Sequence, residues 1–328
     1  MLDLGTSFLA SVARDPDALA IVDGDVRLTY SAWYERISAL VAGFDALGLE
    51  PGDHLVTVLQ NRWQAATIHW ACQFAGIIVT PLNWRFTAEE LDFCVDDAEA
   101  KAIVYEEVSA AAVRSSNRAR ARPCVAVGEP RSQDLAFESL IGGSARAVRP
   151  RVTAEAWSVM LYTSGTTARP KGVPRRQRAE RAAALAHVVQ NLYAAHERTL
   201  GAMPLYHTMG VRSLLAMSLI GGAFVCLPRF DVARALELIA AERITNLYLV
   251  PTLYHQRFAT TDVSSVRKLG FAGAPMTDGL LRSLKNAFKP QLFVNHYGSS
   301  EIYTFTIDQN APAKPGSAGR AGINQMVR

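Results

Sequence analysis

Between residues 54 and 106 short apolar runs alternate with longer amphipathic stretches. HLVTVLQ from His54 reads as a buried strand, RWQAATIHWACQFAG as a helix, IIVTPLN as a strand, and KAIVYE as another. Upstream, Ser31 is placed to cap a helix that Gly48 ends, and Pro51-Gly52-Asp53 makes a turn. Thr87 and Glu90 have the spacing of a capping box for AEELDFCVDDA. The periodicity weakens over about 109–152, a passage rich in Arg, Ser and Gly, and then resumes. AWSVMLYT, TLGAMPLYH, AFVCLPR, TNLYLV, VRKLGFA and QLFVN read as strands. Helices are predicted over 178–197, 211–220 and VARALELIAAER, with Thr277 capping DGLLRSLKNAF. Strand and helix in regular alternation imply crossover connections and largely parallel sheets. The weak passage predicts a boundary near 150, with a first α/β subdomain over 1–150 and a second over 151–328 that carries the ligand site.

At 328 residues the chain is long for a single core, which agrees with two lobes. Its net charge of +4 is too mild to imply nucleic acid. Basic residues cluster at Arg114–Arg122 and Arg169–Arg181, without the interleaved aromatics of a nucleic-acid surface, so no nucleic-acid partner is expected. Cys72, Cys94, Cys124 and Cys226 lack metal-ligand or CxxC spacing and read as small buried hydrophobes of a reducing compartment. The N-terminus has early acids and no long apolar segment, and no run approaches the ~20 residues that cross a bilayer. The expectation is a cytoplasmic protein with no membrane partner. A homo-oligomer is left open.

Four polar stretches each follow the carboxyl end of a predicted strand: TSGTT after AWSVMLY, YHTMG after GAMPL, GAP after KLGFA, and HYGSSE after QLFVN. In open parallel sheets ligands bind beyond that edge, which predicts one shared cleft. LYTSGTTARPKGV is the most distinctive. Thr163, Ser164, Thr166 and Thr167 offer hydroxyl donors, Gly165 lets backbone N–H groups approach an anion, and Lys171 supplies a cation. The spacing is not that of a Walker A loop. A phosphate chain is the ligand this chemistry suits.

YTSGTTARPKGV, MPLYH, FAGAPM and YGSSE, in this order and spacing, resemble the signature motifs of the adenylate-forming superfamily, which includes acyl- and aryl-CoA ligases. The openings LTYSAWYERISALVAGFDALGLEPGDHLVTVLQN and GIIVTPLNWRFTAEEL resemble its CoA-ligase branch, so the likeness covers essentially the whole chain. It implies two stacked α/β subdomains in an αβαβα layering. It also implies a two-step reaction, in which ATP activates a carboxylic acid as an acyl-adenylate and coenzyme A then takes the acyl group. By the resemblance Thr163, Ser164, Gly165, Thr166, Thr167 and Lys171 hold the β- and γ-phosphates. Gly273, Ala274 and Pro275 line the adenine site with Asn295 and Tyr297 beside the base, Ser300 touches the α-phosphate, and Glu301 binds Mg²⁺. Lys171, His207 and Glu301 form the catalytic set, with His207 between acid and nucleotide.

The same alignment lines the acyl pocket with Leu185, His207, Thr208, Met209, His296 and Tyr303. No fixed cation is in this set, which argues against a second carboxylate on the substrate, and an aryl or small cyclic acid is expected. MPLYHTMG resembles benzoate-type ligases. Ala168 stands where the family has glycine, and Ser300 where it has threonine. After YGSSEIYTFTI the chain runs only to Arg328, with no counterpart of the family's ribose-binding aspartate, hinge or lysine-bearing C-terminal domain. The resemblance therefore implies an N-terminal part with little complete turnover alone. Two alternatives stay open: a non-catalytic nucleotide-binding module, and a medium- or long-chain fatty acyl-CoA ligase.

Overall fold

The computed structural model describes residues 2–131, 133–143, 146–163, 169–254 and 262–327. Numbered along the chain, the strands begin with β1 (Leu19–Asp23), β2 (Val26–Thr29), β3 (His54–Val58), β4 (Ile78–Pro81), β5 (Ala102–Glu106) and β6 (Cys124–Val127). They continue with β7 (Leu135–Ala136), β8 (Trp157–Thr163), β9 (Lys171–Arg176), β10 (Arg198–Gly201) and β11 (Ala223–Cys226). The last five are β12 (Asn246–Leu249), β13 (Lys268–Phe271), β14 (Leu292–Tyr297), β15 (Thr306–Asp308) and β16 (Arg320–Ala321). They form two sheets in two compact units, one of Met1–Pro16 with Tyr30–Arg181, the other of Asp17–Thr29 with Ala182–Arg328.

The first unit holds a seven-stranded sheet ordered β7-β6-β5-β3-β4-β8-β9, parallel except where β8 meets β9. Strands β4 and β5 are buried along their whole length, as strands of a parallel sheet covered on both faces must be. Helix Trp63–Ala75 is buried nearly all round, its polar Thr67, His69 and Gln73 included, and Gly76 ends it at φ +80°, a left-handed cap that favours glycine. The expected capping box starts helix Ala88–Asp97: Glu90 N–H donates to Thr87 Oγ1 at 3.3 Å, and Thr87 N–H to Glu90 Oε2 at 2.8 Å.

The second unit holds a nine-stranded sheet ordered β16-β15-β14-β13-β12-β10-β11-β1-β2. Its central strands are parallel, and the antiparallel pairs lie at the edges. Leu200, Leu247, Leu269 and Phe293 of the sheet pack with Ile239 of helix Val232–Ala241 and with Leu281 and Phe288 of helix Asp278–Phe288. Thr277 caps that last helix as expected, accepting from Leu280 N–H at 3.4 Å.

Several boundaries depart from the sequence reading. The first unit runs to Arg181 rather than about 150, because β8 pairs with β4 at Val79 and Val159. Residues 17–29 fold with the second unit because β1 pairs with β11, Ile21 opposite Phe224. The strand expected over TLGAMPLYH stops at Gly201; Pro204 opens a turn closed by His207 N–H donating to Pro204 O at 2.9 Å. Strand β9 falls where a basic surface cluster was read. It alternates in burial, with Val173 and Arg175 inward, and its three charged side chains hide the β signal. Helix Gln177–Gln190 is shorter than the predicted 178–197, and the helix read as starting after Ser31 begins at Tyr30. The passage 109–152 contains short elements, among them β6, β7 and helices Ala110–Ser115 and Phe137–Ile141, too brief for a clear period.

Candidate active site

Strands β8 and β9 bracket the phosphate-loop candidate. Thr163 and Lys171 stand opposite each other in the antiparallel ladder, so the loop's two ends are clamped by strand pairing. Ser164, Gly165, Thr166 and Thr167, and with them Ala168, lie outside the described residues. Tyr162, just before the loop, donates from its hydroxyl to Asp97 Oδ2 at 2.6 Å, tying β8 to helix Ala88–Asp97. Lys171 is exposed. This loop belongs to the first unit's sheet. The sequence reading had placed all four polar stretches in one lobe, and the remaining three do share a sheet.

In the second unit β10, β12, β13 and β14 run parallel, and their carboxyl ends form one rim. Past β10 comes the PLYHTMG stretch. His207 is the N-cap of helix Thr208–Ile220, its Nδ1 accepting from Met209 N–H at 3.3 Å. A Cβ at Gly210 would lie 2.1 Å from Pro204 O and 2.5 Å from Met203 O, so only glycine lets the helix begin against the turn that presents His207. Past β13, Gly273 takes φ +85° and leaves Gly273, Ala274 and Pro275 exposed. On β14, Asn295 Nδ2 donates to Ser317 O at 2.8 Å, and Tyr297 is 60% exposed, an aromatic face open to a flat ring. A Cβ at Gly298 would fall 1.3 Å from Tyr303 O. That contact folds the segment carrying Ser300 and exposed Glu301 back on itself, with Tyr303 at φ +63°.

The acyl set spans buried and partly buried positions. Leu185 and Tyr303 are half-buried, Thr208 has a buried hydroxyl oxygen with no hydrogen-bond partner among the described residues, and Met209 packs into the hydrophobic core. His296 is buried among residues the sequence reading missed: its ring lies 5.2 Å from that of His187 and 5.0 Å from that of Tyr248. Asn191 bridges the two imidazoles, with Nδ2 3.1 Å from His187 Nδ1 and Oδ1 3.2 Å from His296 Nε2. Burial holds His296 down at about 3 and His187 well below its ordinary value, so both rings are neutral. Gly270 leaves room for this cluster, since a Cβ there would lie 3.0 Å from Tyr248 and 3.5 Å from Asn191.

A cation outside the expected acyl set stands beside one of its members. Arg212, 2% exposed, places its guanidinium 3.5 Å from the centroid of the Tyr303 ring. A single arginine inside the apolar run MGVRSLLAMSLI was the available signal. The basic cluster of 169–181 is also largely engaged. Arg175 is buried and ion-paired with Glu180 at 3.1 Å, Arg176 lies 4.1 Å over the Trp157 ring, and Arg178 pairs with Glu155 at 3.2 Å. Among the described residues no helix is long and apolar enough to cross a membrane.

A family model described as AMP-binding enzyme matches residues 8–328. The chain belongs to the AMP-binding enzyme family. Within that family it is similar to feruloyl-CoA synthase of Amycolatopsis sp, at 28% identity over 340 residues, covering 99% of this chain and 65% of that protein. It is also similar to the long-chain-fatty-acid--CoA ligase FadD13 of Mycobacterium tuberculosis, at 27% identity, with 90% of this chain and 60% of that protein covered. Solved structures share the fold. The N-terminal domain of FACL13 from Mycobacterium tuberculosis superposes with TM-score 0.86 at 24% identity, over 98% of this chain and 83% of that one. The anthranilate CoA ligase AuaEII, in complex with anthranoyl-AMP, gives 0.89 at 20% identity over 98% and 64%. This member of the AMP-binding enzyme family thus spans about 60–65% of the length of the curated relatives named here.

Proposed function

We propose that the protein activates a carboxylic acid with ATP and passes the acyl group to coenzyme A, with an aryl or small cyclic acid as substrate. The observation that carries this is the rim of the second unit, where three motif loops leave neighbouring ends of one parallel sheet with His207, Gly273, Tyr297 and Glu301 on them. In the first step a carboxylate oxygen attacks the α-phosphorus and the bond to the β-phosphate breaks, releasing pyrophosphate. In the second the thiol attacks the acyl carbon, losing its proton, and AMP leaves. Both steps ask the protein chiefly for positioning and for neutralising charge.

Thr163 and Lys171, with the intervening loop, serve the β- and γ-phosphates. Gly273, Ala274 and Pro275 floor the adenine, Asn295 and Tyr297 flank it, and Ser300 meets the α-phosphate. Among the described residues no group of three or more His, Cys, Asp or Glu side chains could hold a metal by itself. An exposed carboxylate such as Glu301 suits Mg²⁺, which takes one or two protein oxygens and completes its shell with phosphate and water. The metal neutralises phosphate charge when bound. The aryl assignment is supported by the rings of His187, Tyr248 and His296, packed together around a residue expected in the acyl pocket, whereas a flexible acyl chain needs a smooth aliphatic tunnel. Four free, buried cysteines support a reducing, cytoplasmic setting.

The test is acid-dependent pyrophosphate release, with and without coenzyme A, over chlorobenzoate, hydroxybenzoate, cyclohexanecarboxylate and octanoate. Aryl acids are expected to give the highest kcat/KM; a clear octanoate preference replaces the aryl reading with a fatty acyl one. ATP binding without release on any acid leaves a non-catalytic nucleotide module. Glu301→Gln is expected to cut release by about 100-fold with a raised Mg²⁺ requirement. Lys171→Ala should raise the KM for ATP by about tenfold, one lost charge-assisted contact. Release indifferent to both changes overturns the site assignment.

A further inference from the structure

The hydrogen bonds of the buried imidazole pair fix the protons. Asn191 Nδ2 donates to the backbone oxygen of His187 at 2.8 Å, which sets the amide so that Nδ2 is also the atom facing His187 Nδ1. An amide nitrogen only donates, so His187 Nδ1 accepts and its proton sits on Nε2. The amide's Oδ1 then accepts from His296 Nε2 at 3.2 Å, and Thr304 Oγ1 stands 3.5 Å from His296 Nδ1. Both nitrogens of His296 therefore have neighbours. His187 differs: its Nε2 is buried and has no hydrogen-bond partner among the described residues. A buried donor left unmatched is costly, and proteins keep such groups where a ligand completes them.

The neighbourhood ties this donor to the acid site. The His187 ring lies 5.2 Å from the ring of His296, a residue expected in the acyl pocket. Thr208 and Arg212 are one turn apart on helix Thr208–Ile220 and so share a face. Thr208 Oγ1 is a second buried polar atom with no hydrogen-bond partner among the described residues, and Arg212 stacks on Tyr303.

We infer that His187 Nε2–H is a specificity-determining donor, and that the acid this enzyme activates carries an oxygen acceptor remote from its carboxylate, such as a ring hydroxyl, ether or ketone. This rests on the acid-activating function proposed above and names the class of acid more narrowly. A site built around a donor discriminates strongly against the analogue that leaves it unmatched.

The experiment compares acids differing only in the remote oxygen: 3- and 4-hydroxybenzoate against benzoate, and 4-hydroxycinnamate against cinnamate, read as kcat/KM for pyrophosphate release. At least one oxygenated acid is expected to be preferred by about tenfold or more, equivalent to about 1.4 kcal/mol. His187→Asn keeps an amide where Nδ1 meets Asn191 but removes the Nε2 donor, and should bring that ratio to about one. His187→Gln places an amide N–H near the Nε2 position and should restore most of it. Folding of each variant is followed by thermal melting, and the wild-type ratio stands whether or not a variant folds. Release on both members of each pair without preference overturns the inference alone, as does an unchanged ratio in folded His187→Asn. No acid-dependent release with any acid overturns the functional reading, and this inference with it.

Discussion

At the residue scale the candidate site depends on atoms that are missing as much as on side chains that are present. Gly298 is the sharpest case, because a Cβ there would fall inside bonding distance of Tyr303 O, and a backbone oxygen cannot swing aside. Gly298→Ala must therefore displace the turn that carries Ser300 and Glu301. The expected result is a loss of about 2 kcal/mol or more in stability and of most pyrophosphate release, read by thermal melting and the release assay. An alanine variant with the wild-type melting temperature and rate would show that the turn relaxes cheaply. YGSSE was legible as a motif, but the reason for its glycine was not, since the obstacle comes from five residues downstream. His187 was illegible for a related cause. One histidine in an Ala-rich helix carries no pattern, and its meaning depends on Asn191 and on His296 of a distant strand.

Elements were most legible where period and caps agreed. Thr87 with Glu90, and Thr277, marked helix starts that the structure keeps, because N-capping is a contact within three residues. Strand β9 was missed because its inward Arg175 is neutralised by Glu180, a partner in the following helix rather than in the strand. The start of helix Thr208–Ile220 was read three residues late, since His207 is an unusual cap and Gly210 lowers helix propensity. Yet Gly210 is what seats that helix. Gly210→Ala would push its first turn off Met203 and Pro204 and carry His207 with it. The expected outcome is a rise in the KM for the acid of about tenfold or more in a still-folded protein, measured by acid titration of pyrophosphate release. Unaltered acid kinetics would detach His207 from the acid.

Across the whole molecule the two parallel sheets were readable from alternation, whereas the division of the chain between them was not. Strand pairing decides it, and which strand β1 or β8 joins leaves no local trace. Burial sets a second molecular property. It holds His69 at about 4 and His296 at about 3, and His187 well below its ordinary value. All three folded-state values lie below the unfolded ~6.5, so the unfolded chain binds protons first as pH falls. Stability is complete above about pH 6.5 and declines as pH drops, until about 4 for His69 and about 3 for His296. At pH 5 each histidine costs about 2 kcal/mol relative to pH 7. A lower urea midpoint at pH 5 than at pH 7 is expected, and an equal midpoint would mean these rings are hydrated. Asp45, held down by its bond to Arg151, and Glu242, held down by Arg27, act in the same direction only below about pH 4.5.

The early hairpin of β1 and β2 belongs to a sheet whose remaining strands lie beyond residue 190, with β11, its neighbour, only at Ala223–Cys226. During synthesis this hairpin emerges about two hundred residues before the surface that completes it. Meanwhile the first sheet, all of whose strands are made by Arg176, can close behind it. The ribosome thus hands over one unit nearly whole while the other waits with its outermost piece already delivered. Any cut between residues 30 and 182 would sever that piece from its sheet and leave β11 with a bare edge.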